Sequence, residues 1–560
     1  MKKIESINKS LNDVRTVPMT VELDEVPPAE ASFSEFESLS DDEVYMLIKK
    51  AAKKSCLLDP MPTYLILQLL DVLLPVITTM INLSFNTGYF AHAWKEALVL
   101  PSLKKPGLDV AFKNFRPVSN LPYISKLSER AAACQLTQYM TDNDLHSVFQ
   151  SAYKPNHSTE TALLKVKNDI LMNMNDQHVT LLVLLDLSAA FDTVHHDILI
   201  ARLKNDLGIE GDALSWLISY LSDRSQRISI NGGTSRKFPI VYGVPQGSCL
   251  GPLLFTVYTR KLFQVVKKHL PKIHCYADDT QLYLSFCPSS SVNAEVAVES
   301  MNDCIADIRN WMISDKLMLN DDKTEFVLIG TRQQLAKVDI DSISVGSYDV
   351  SPGSVVRNLG SWFDSKLTMS THISKVCASS FYHLHNIKRI RKYLSVEATQ
   401  TLVHALITSR VDYCNSLLFG LPDCQLNKLQ RVLNVSARLI YKLPRFCHIT
   451  PILCDLHWLP IRYRINFKII LLTFKAIHGL APKYISDLVV IKSSTYNLRS
   501  ADSLFLSVPH INTKKTLGDR AFTIAAPKLW NSLPVELRQI NSIFAFKRQL
   551  KSYLFQLAYC

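Results

Sequence analysis

The 560-residue chain lacks the features of a secreted or membrane-inserted protein. Its first residues, MKKIESINKSLNDV, contain no apolar h-region, so we expect no signal peptide. The most apolar run, residues 64–81, is interrupted by Gln68, Asp71 and Pro75, which indicates two buried helices rather than a membrane-spanning one. The 12 cysteines lie singly, without the spacing of a disulfide framework. The sequence therefore predicts an intracellular protein, in the nucleus or the cytoplasm or both, that is not secreted and has no membrane partner.

Acidic residues are scarce in the last third of the chain. Residues 371–560 contain 26 Lys and Arg against 8 Asp and Glu, whereas the whole chain has a net charge of +12. A charge asymmetry of this size suggests a polyanionic partner for the C-terminal part, and nucleic acid is the usual one. The alternative is a solvated basic surface without a partner.

No internal repeat is detectable, so turn residues and periodicity define the organisation. Residues 1–38 are polar and interrupted by proline, which is typical of a flexible lead-in. The SDDE sequence at 40–43 predicts a capping box at the start of a helical extension over residues 39–90. Beyond residue 371 the pattern is mainly helical.

Strand and helix signals alternate in the middle of the chain. VTLLVLLD at 179–186 is apolar on both faces, as in a central strand. Two helical segments and a hairpin around NGG at 231–233 follow it. A periodic helix around residues 301–312 then precedes the strand TEFVLIG at 324–330. This order of elements predicts an α+β fold with a split βαβ antiparallel sheet and helices on one face.

Two adjacent acidic residues lie in an apolar, strand-forming stretch, HCYADDTQLYLSF at 274–286. Strands disfavour Asp, and burying carboxylates costs free energy unless a cation lies between them. Because neighbouring strand residues point to opposite faces, Asp278 and Asp279 can converge only at the tight turn of a hairpin. A third carboxylate, Asp186, ends the strand at 179–186. Three carboxylates are oxygen ligands suited to two Mg²⁺ ions, with Mn²⁺ as an alternative, and to phosphoryl transfer.

Together these residues resemble the ordered motifs of reverse transcriptases. YADD at 276–279 is similar to the polymerase motif of that family, and LLDLSAAFD at 184–192 is similar to its first catalytic motif. Four further segments are similar to the motifs for the fingers, for template and nucleotide packing, for the pyrophosphate-side lysine and for the primer grip: NFRPVSNLPYISKLSER (114–130), YGVPQGSCLGPLLF (242–255), LNDDKTEFVLIG (319–330) and NLGSWFD (358–364).

The resemblance implies a catalytic role for four residues. Asp186, Asp278 and Asp279 would hold the metal ions, and Lys323 would lie near the departing pyrophosphate. The reaction would be attack of a primer 3′-hydroxyl on the α-phosphate of a dNTP, directed by an RNA template. The implied partners are an RNA template, a DNA primer or target, and dNTPs, and no protein partner is deducible.

Four other residues would bind the incoming nucleotide. Arg116 would contact the triphosphate, for which a guanidinium fork is suited. Gln246 would supply a neutral bidentate group, and Gly247 would permit close approach of the backbone. Phe191 would block the ribose 2′-hydroxyl, so that the polymerase selects dNTPs. The alternative for Phe191 is a core residue.

Other segments are similar to non-LTR, LINE-type retrotransposons of the jockey-like or chicken-repeat-like group. They are SCLLDPMPTYLI (55–66), FNTGYFAHAWKEALVLP (85–101), QSAYKPNHSTETALLKV (150–166), HITPILCDLHWLPIRYRINFK (448–468) and GDRAFTIAAPKLWNSLP (518–534). In the third segment Ala152 and Lys154 stand where Gly and Arg are commoner. The resemblance runs from about residue 50 to the end. The endonuclease that normally precedes such a polymerase does not fit into the first ~50 residues, so we expect it to be absent.

The family's right-hand architecture implies fingers and palm over residues 91–345 and a thumb over 346–425. A basic helical C-terminal domain would follow over 426–560. Within the thumb, the run KRIRKYL at 388–394 would track a duplex backbone. Its basic residues are Lys388, Arg389, Arg391 and Lys392. The alternative is a solvated helix face.

Several alternatives remain at this point. The chain could be a catalytically idle nucleic-acid-binding relic, or another palm polymerase of the telomerase-like or intron-encoded kind, although the jockey-like tail argues against the latter. HHD at 195–197 could belong to a metallophosphohydrolase, but no second His-rich cluster accompanies it. A zinc site has only one pair with knuckle-like spacing among its four potential ligands, which are Cys447, His448, Cys454 and His457.

Overall fold

The structure, a computed structural model, describes residue 7 and residues 30–105, 107–346, 348–492, 504–509 and 517–560. Most of the expected flexible lead-in, 1–38, therefore lies outside the described residues. The strands are β1 (Glu96–Leu103), β2 (Phe115–Asn120), β3 (Val179–Leu185), β4 (Arg224–Ile230), β5 (Gly233–Thr234), β6 (Phe238–Ile240), β7 (Lys272–Tyr276), β8 (Asp279–Phe286), β9 (Glu325–Ile329), β10 (Ile343–Val345), β11 (Tyr348–Val350), β12 (Val355–Asn358) and β13 (Ser361–Asp364).

The α-helices occur along the whole described chain and dominate it beyond β13. They are α1 (Asp41–Lys50), α2 (Thr63–Gln68), α3 (Leu70–Asn86), α4 (Tyr123–Asp142), α5 (Thr159–Asn175), α6 (His196–Asn205), α7 (Gly211–Leu221), α8 (Gly251–Tyr258), α9 (Leu262–Lys267), α10 (Ser291–Ser314), α11 (Arg332–Leu335), α12 (Ser370–Ile390), α13 (Val396–Val403), α14 (Ser409–Val411), α15 (Asp423–Tyr441), α16 (Thr450–Asp455), α17 (Ile461–Ile477), α18 (Lys483–Ser486), α19 (Phe522–Asn531), α20 (Val535–Arg538) and α21 (Ile543–Tyr559). A π-helical turn, His404–Thr408, lies between α13 and α14.

The chain divides into two compact units, each assembled from three stretches of sequence. Unit 1 comprises Met1–Tyr153, Asp186–His269 and Asp303–Asp322. Unit 2 comprises Lys154–Leu185, Leu270–Asn302 and Lys323–Cys560. The whole chain from Lys323 onward belongs to unit 2, so the division between units does not follow the expected boundaries after residues 345 and 425.

Unit 1 contains a five-stranded sheet in which β1 lies between β2 and β4. The β1–β2 pair is antiparallel and the β1–β4 pair is parallel, while β5 and β6 both pair antiparallel with β4. Ile230 pairs with Gly233, which leaves Asn231 and Gly232 as a two-residue turn with φ values of 50° and 84°. Such a turn needs positive φ at both positions, so Asn-Gly is well suited to it. The predicted hairpin is confirmed.

A cluster of aromatic rings forms the core of unit 1 near α3 and α7. Phe36, Phe85, Phe90 and Trp216 lie with ring centroids 4.5–5.4 Å apart, mostly edge to face. Phe36 belongs to the end of the expected flexible lead-in, yet it is 4% exposed. Phe33 and Phe36 of the FSEF segment, at the end of the expected lead-in, thus pack against aromatic rings of unit 1.

The apolar run at 64–81 forms two helices, α2 and α3, as predicted, with Leu69 between them. Ile77, Ile81 and Phe85 are buried, but the opposite face of α3 is exposed, including Val72 at 73% and Val76 at 54%. The prediction that both helices are buried is therefore correct for one face only. Across the described ranges, no helix combines the length and the apolar character needed to cross a membrane. The predicted capping box is also confirmed, since Ser40 and Glu43 cap α1 reciprocally.

Unit 2 is built on a four-stranded sheet in the order β7-β8-β3-β9, and all of its pairs are antiparallel. The predicted central strand is confirmed, because β3 lies between β8 and β9 and most of its side chains are buried. The hairpin β7–β8 and the strand β9 flank β3 as the element order predicts. The antiparallel sheet of the expected α+β fold is therefore present.

The C-terminal helices of unit 2 pack against α5, the helix that precedes β3. The Tyr484 hydroxyl lies 3.0 Å from Thr161 Oγ1, and the backbone N–H of Thr523 donates to Asn168 Oδ1 at 2.9 Å. Thr161, Asn168 and Tyr484 are each 3% exposed. Behind this contact the rings of Phe474 and Phe546 stack at 4.2 Å in the core of the tail. The tail and the sheet therefore share one compact unit.

Candidate active site

The acidic pair lies at the tip of the β7–β8 hairpin. Tyr276 pairs with Asp279, so Ala277 and Asp278 form a two-residue turn. Ala277 has a φ of 58°, in the left-handed region that residues with a Cβ seldom adopt. Asp278 is half-buried and Asp279 is exposed. The tight turn that the two neighbouring carboxylates require is thus confirmed.

The central strand β3 ends beside this turn. Its last residue, Leu185, pairs with Thr280, the residue after Asp279. Asp186 is the next residue of the chain and belongs to unit 1, where its carboxylate accepts a 3.1 Å hydrogen bond from Asn320 Nδ2. The Asn320 N–H also donates to the Asp186 carbonyl oxygen at 2.9 Å. Asn320 therefore orients Asp186, and its only sequence signal was its place in the LNDDK segment.

Gln246 is positioned by two hydrogen bonds in unit 1. Its side-chain Nε2 donates to Asp192 Oδ2 at 2.9 Å, and its carbonyl accepts the N–H of Ser119 at 2.8 Å. A Cβ on the next residue, Gly247, would lie 2.2 Å from the Ser119 carbonyl oxygen. The glycine thus permits a close approach of two backbones, but the backbone that it meets is that of β2.

The segment after β3 packs against the VPQG segment. The N–H of Val244 donates to the Phe191 carbonyl at 2.9 Å, and that of Gly243 donates to the Val194 carbonyl at 2.8 Å. The Phe191 ring is half-buried and lies 4.9 Å from the ring of Phe255, which is fully buried. One part of Phe191 therefore packs on the core, and the other part remains open to solvent.

Glu129 is a buried carboxylate that the sequence did not single out. It is 0% exposed and accepts hydrogen bonds from Ser248 Oγ at 2.5 Å and from the N–H of Cys249 at 2.7 Å. Burial raises the pKa of the neighbouring Tyr220 hydroxyl, and the charge of Glu129 adds to this effect. The carboxylate thus fixes the turn that precedes α8. No feature of its own helix in the sequence indicated this role.

A pocket of about 420 Å³ lies between two hairpins of unit 2. Asp279 and Tyr276 line it from the acidic hairpin, and the turn of the β12–β13 hairpin lines it opposite. Tyr413 closes one side, because its hydroxyl donates to the Leu359 carbonyl at 2.7 Å. The remaining lining residues are Thr159, Arg357 and Gly360. The primer-grip-like segment therefore faces a cavity that also contains a carboxylate of the acidic pair.

The acidic hairpin rests on buried polar groups. His274 on β7 is fully buried, and this burial lowers its pKa to about 3, with the positive charge of Lys165 as a smaller cause. The Tyr283 hydroxyl on β8 donates to Asp169 Oδ2 at 2.9 Å, and Lys165 pairs with the same carboxylate at 2.7 Å. The strands beneath the carboxylates are thus held by interactions with α5.

The basic run at the end of α12 divides into two groups. Three of its cations are exposed: Lys388, Arg389 and Lys392. Arg391 is 6% exposed, and its guanidinium donates at 2.6–3.0 Å to the carbonyl oxygens of Leu394, Leu439 and Ile440. It therefore satisfies the C-terminal carbonyls of α15, which does not fit the expected contact with a phosphate.

The other predicted residues lie as follows. Arg116 is exposed on β2, and Lys323 is exposed two residues before β9. His196 Nε2 bonds the Gly243 carbonyl at 2.9 Å, so this ring has a structural partner. Within the part of the chain that the structure describes, no three His, Cys, Asp or Glu side chains are grouped closely enough to hold a metal ion. The zinc alternative thus gains no support there, and Asp186, Asp278 and Asp279 do not form such a group either.

Comparison with known proteins gives a family match over residues 103–397, to the profile described as reverse transcriptase (RNA-dependent DNA polymerase). The chain is 27% identical over 331 residues to the probable RNA-directed DNA polymerase from transposon BS of Drosophila melanogaster. It is 28% identical over 315 residues to the RNA-directed DNA polymerase from mobile element jockey of the same species. The two matches cover 57% and 55% of this chain.

A third relative, the probable RNA-directed DNA polymerase from transposon X-element of Drosophila melanogaster, is 26% identical over 376 residues, or 65% of this chain. The chain spans 33–39% of the length of these three curated relatives. The family match covers more than half of the chain and includes every motif from the fingers segment to the primer-grip segment. The chain therefore belongs to the reverse transcriptase family, as a jockey-like, non-LTR member.

Proposed function

We propose that the chain is an RNA-directed DNA polymerase of a non-LTR retrotransposon, which extends a DNA primer with dNTPs on an RNA template. The observation that carries the proposal is the tight turn at Asp278 and Asp279, beside the end of β3 and within the matched family region. The relatives bear the name RNA-directed DNA polymerase. Because the chain spans only about a third of them, the activity is proposed for this part and not for a whole element.

The proposed metal ligands are Asp186, Asp278 and Asp279. Carboxylate oxygens are the donors that Mg²⁺ prefers, and the family generally depends on divalent metal ions. Support comes from chain connectivity, because Asp186 follows Leu185, whose strand partner follows Asp279. Two bound ions, Mg²⁺ or Mn²⁺, would supply a lowered pKa for the primer hydroxyl and neutralisation of the triphosphate. Asn320 holds the Asp186 carboxylate in a fixed orientation for this task.

The remaining residues receive roles that match their chemistry. Arg116 and Lys323 are exposed cations, suited to the triphosphate and the pyrophosphate. Gln246, fixed by Asp192, contacts the incoming nucleotide near Gly247, and Phe191 excludes the ribose 2′-hydroxyl. Three exposed cations follow the duplex backbone: Lys388, Arg389 and Lys392. In the family's terms, residues 91–345 form fingers and palm, residues 346–425 the thumb, and residues 426–560 a basic C-terminal domain.

A primer-extension assay on a homopolymeric RNA template with an annealed DNA primer tests the proposal. We expect extension with Mg²⁺ and none with chelator. Asp278→Asn keeps the shape but removes one ligand charge, so extension should fall by orders of magnitude while binding of the primer–template survives. Asp42→Asn, in the exposed Asp41–Asp42 pair at the start of α1, is the matched control and should remain active. A wild-type protein that binds the duplex without extending it would instead be an idle relic.

A further inference from the structure

A second pocket of unit 2, of about 450 Å³, is lined by residues from 404–415, from 456–468 and by Lys551. The π-helical turn His404–Thr408 provides Thr408 on one side, and Trp458 and Phe467 of the 448–468 segment provide another. π-helical turns are rare in proteins, and those that occur often lie at functional sites. The volume lies within the range of small-ligand pockets. None of the residues proposed above to bind the metal ions, the nucleotide or the duplex lines this pocket.

The charge of the pocket is positive. Three permanent cations line it, against the single acid Asp412. Arg464 pairs with that acid at 2.8 Å, and Lys468 pairs with Glu160 at 3.0 Å. Lys551 on α21 is exposed, and no acidic partner for it occurs among the described residues. The pocket therefore presents an uncompensated ammonium group to an anionic ligand.

Two buried polar atoms of the pocket have no hydrogen-bond partner within the described chain. They are Thr408 Oγ1 and Asn415 Oδ1, on side chains that are 7% and 2% exposed. A buried polar group without a partner is destabilising, so a ligand that satisfies it is favoured. A hydroxyl can donate to a phosphate oxygen, whereas an amide oxygen needs an N–H or O–H donor. The ligand should therefore carry both a phosphate and a donor group.

Two aromatic side chains form an apolar wall of the pocket. Phe467 is half-buried and Trp458 is 4% exposed, and both line the pocket. Aromatic faces beside cations are the usual platform for an unpaired base of a single strand. We propose that this pocket holds one nucleotide of single-stranded RNA or DNA, with its phosphate at Lys551 and its base against Phe467. This binding site goes beyond the polymerase function proposed above.

Photocrosslinking tests the proposal on the full chain. Short single-stranded RNA with 4-thiouridine and DNA with 4-thiothymidine are irradiated with the protein, and the crosslinked peptides are identified by mass spectrometry. We expect crosslinks in the peptide around residues 457–467 with one or both strands. The two arms show whether RNA or DNA is the better ligand. Absence of crosslinks in this peptide with both probes would overturn the proposal, as would equal labelling by duplex DNA.

Two variants distinguish binding from bulk electrostatics and from structure. Lys551→Glu should reduce this crosslink at least tenfold, whereas Arg548→Glu, with the same charge reversal on the exposed face of α21, should not. Thr408→Val removes the unpartnered hydroxyl without changing volume, so it should reduce the crosslink while Tm stays level or rises. A lowered Tm for Thr408→Val, or equal losses for both charge reversals, would refute the site. Extension of a pre-annealed primer should be unchanged in all three variants. A missing crosslink beside normal extension would therefore contradict the nucleotide pocket alone, whereas a wild-type protein that does not extend the primer would contradict the polymerase proposal.

Discussion

Asn358 Nδ2 donates a 2.7 Å hydrogen bond to Oε1 of Gln281, and both side chains are at most 2% exposed. Gln281 lies on β8, two residues after Asp279, while Asn358 ends the first strand of the primer-grip-like hairpin. A buried hydrogen bond between amides fixes both groups strongly, because neither has water as a substitute partner. The spacing of the two hairpins that line the 420 Å³ pocket therefore depends on this bond.

Asn358→Leu keeps the volume and leaves the Gln281 amide unpaired, which should destabilise the fold by about 1–3 kcal/mol. We expect the KM for primer–template to rise more than tenfold, since the hairpins lose their fixed spacing. Steady-state extension and thermal unfolding measure the two effects. Asn173→Leu is the control, because Asn173 bonds Ser285 near the other end of β8. Equal rises in KM for both variants would point to general loss of stability.

Phe191→Val should open space for a ribose 2′-hydroxyl, so the kcat/KM ratio for dCTP over CTP should fall. A steric block can discriminate by more than the ~10²-fold typical of a pocket that merely accommodates an added hydroxyl. The measurement is that ratio in wild type and variant under single-nucleotide addition. Phe255→Leu, at the fully buried ring beside Phe191, should lower Tm without changing the ratio. An unchanged ratio in Phe191→Val would make Phe191 a core residue only.

Replacing the three exposed cations of the KRIRKYL run by Gln should weaken duplex binding and flatten its salt dependence. These residues are Lys388, Arg389 and Lys392. The slope of log K against log salt should fall by about 0.9 for each lost phosphate contact. Arg391→Gln should instead lower Tm and leave the slope unaltered, because its guanidinium bonds carbonyl oxygens. Anisotropy titrations from low to high salt measure the slopes, and a slope that does not change in the triple variant would exclude duplex contacts there.

The fold should lose stability in acid through His274. Burial lowers its folded-state pKa to about 3, whereas an unfolded His titrates near 6.5. Between these values only the unfolded state binds the proton, so unfolding becomes easier by about 1.4 kcal/mol for each pH unit below ~6.5. Urea midpoints at pH 7 and pH 5 should therefore differ more in wild type than in His274→Asn. Identical pH dependence in the two proteins would show that His274 is accessible to protons in the folded state.

Local sequence signals predicted the elements that carry the carboxylates. The alternation of side chains between the two faces of a strand, together with the adjacent Asp278 and Asp279, was enough to place the β7–β8 turn. A hairpin with a two-residue turn is determined by residues that are adjacent in sequence. The same is true of the turn at Asn231 and of the Ser40 capping box. These features depend on residues within a few positions of one another, so they can be predicted from a single sequence.

Side-chain roles that depend on distant partners were not predictable. Arg391 was expected on a phosphate, but its carbonyl partners on α15 lie 48 and 49 residues away in sequence. Glu129 meets Ser248 across 119 residues, and nothing in its own helix indicates that contact. Phe36 likewise packs on Trp216, which lies far from it in sequence. The composition of a segment indicates whether it is polar or apolar on average, but it does not specify which distant part of the chain the segment will contact.

The contact between the tail and α5 has a consequence for how the protein is made. The Thr161–Tyr484 and Asn168–Thr523 pairs are separated by 323 and 355 residues. A ribosome adding 5–20 residues per second needs roughly 20–70 s to synthesise the longer interval. Until then Thr161 and Asn168 have no partner from the tail, so this part of unit 2 can complete its packing only late in synthesis. A premature stop codon before Tyr484 would remove both partners, so shortened chains should be less stable and should be degraded faster than the full chain.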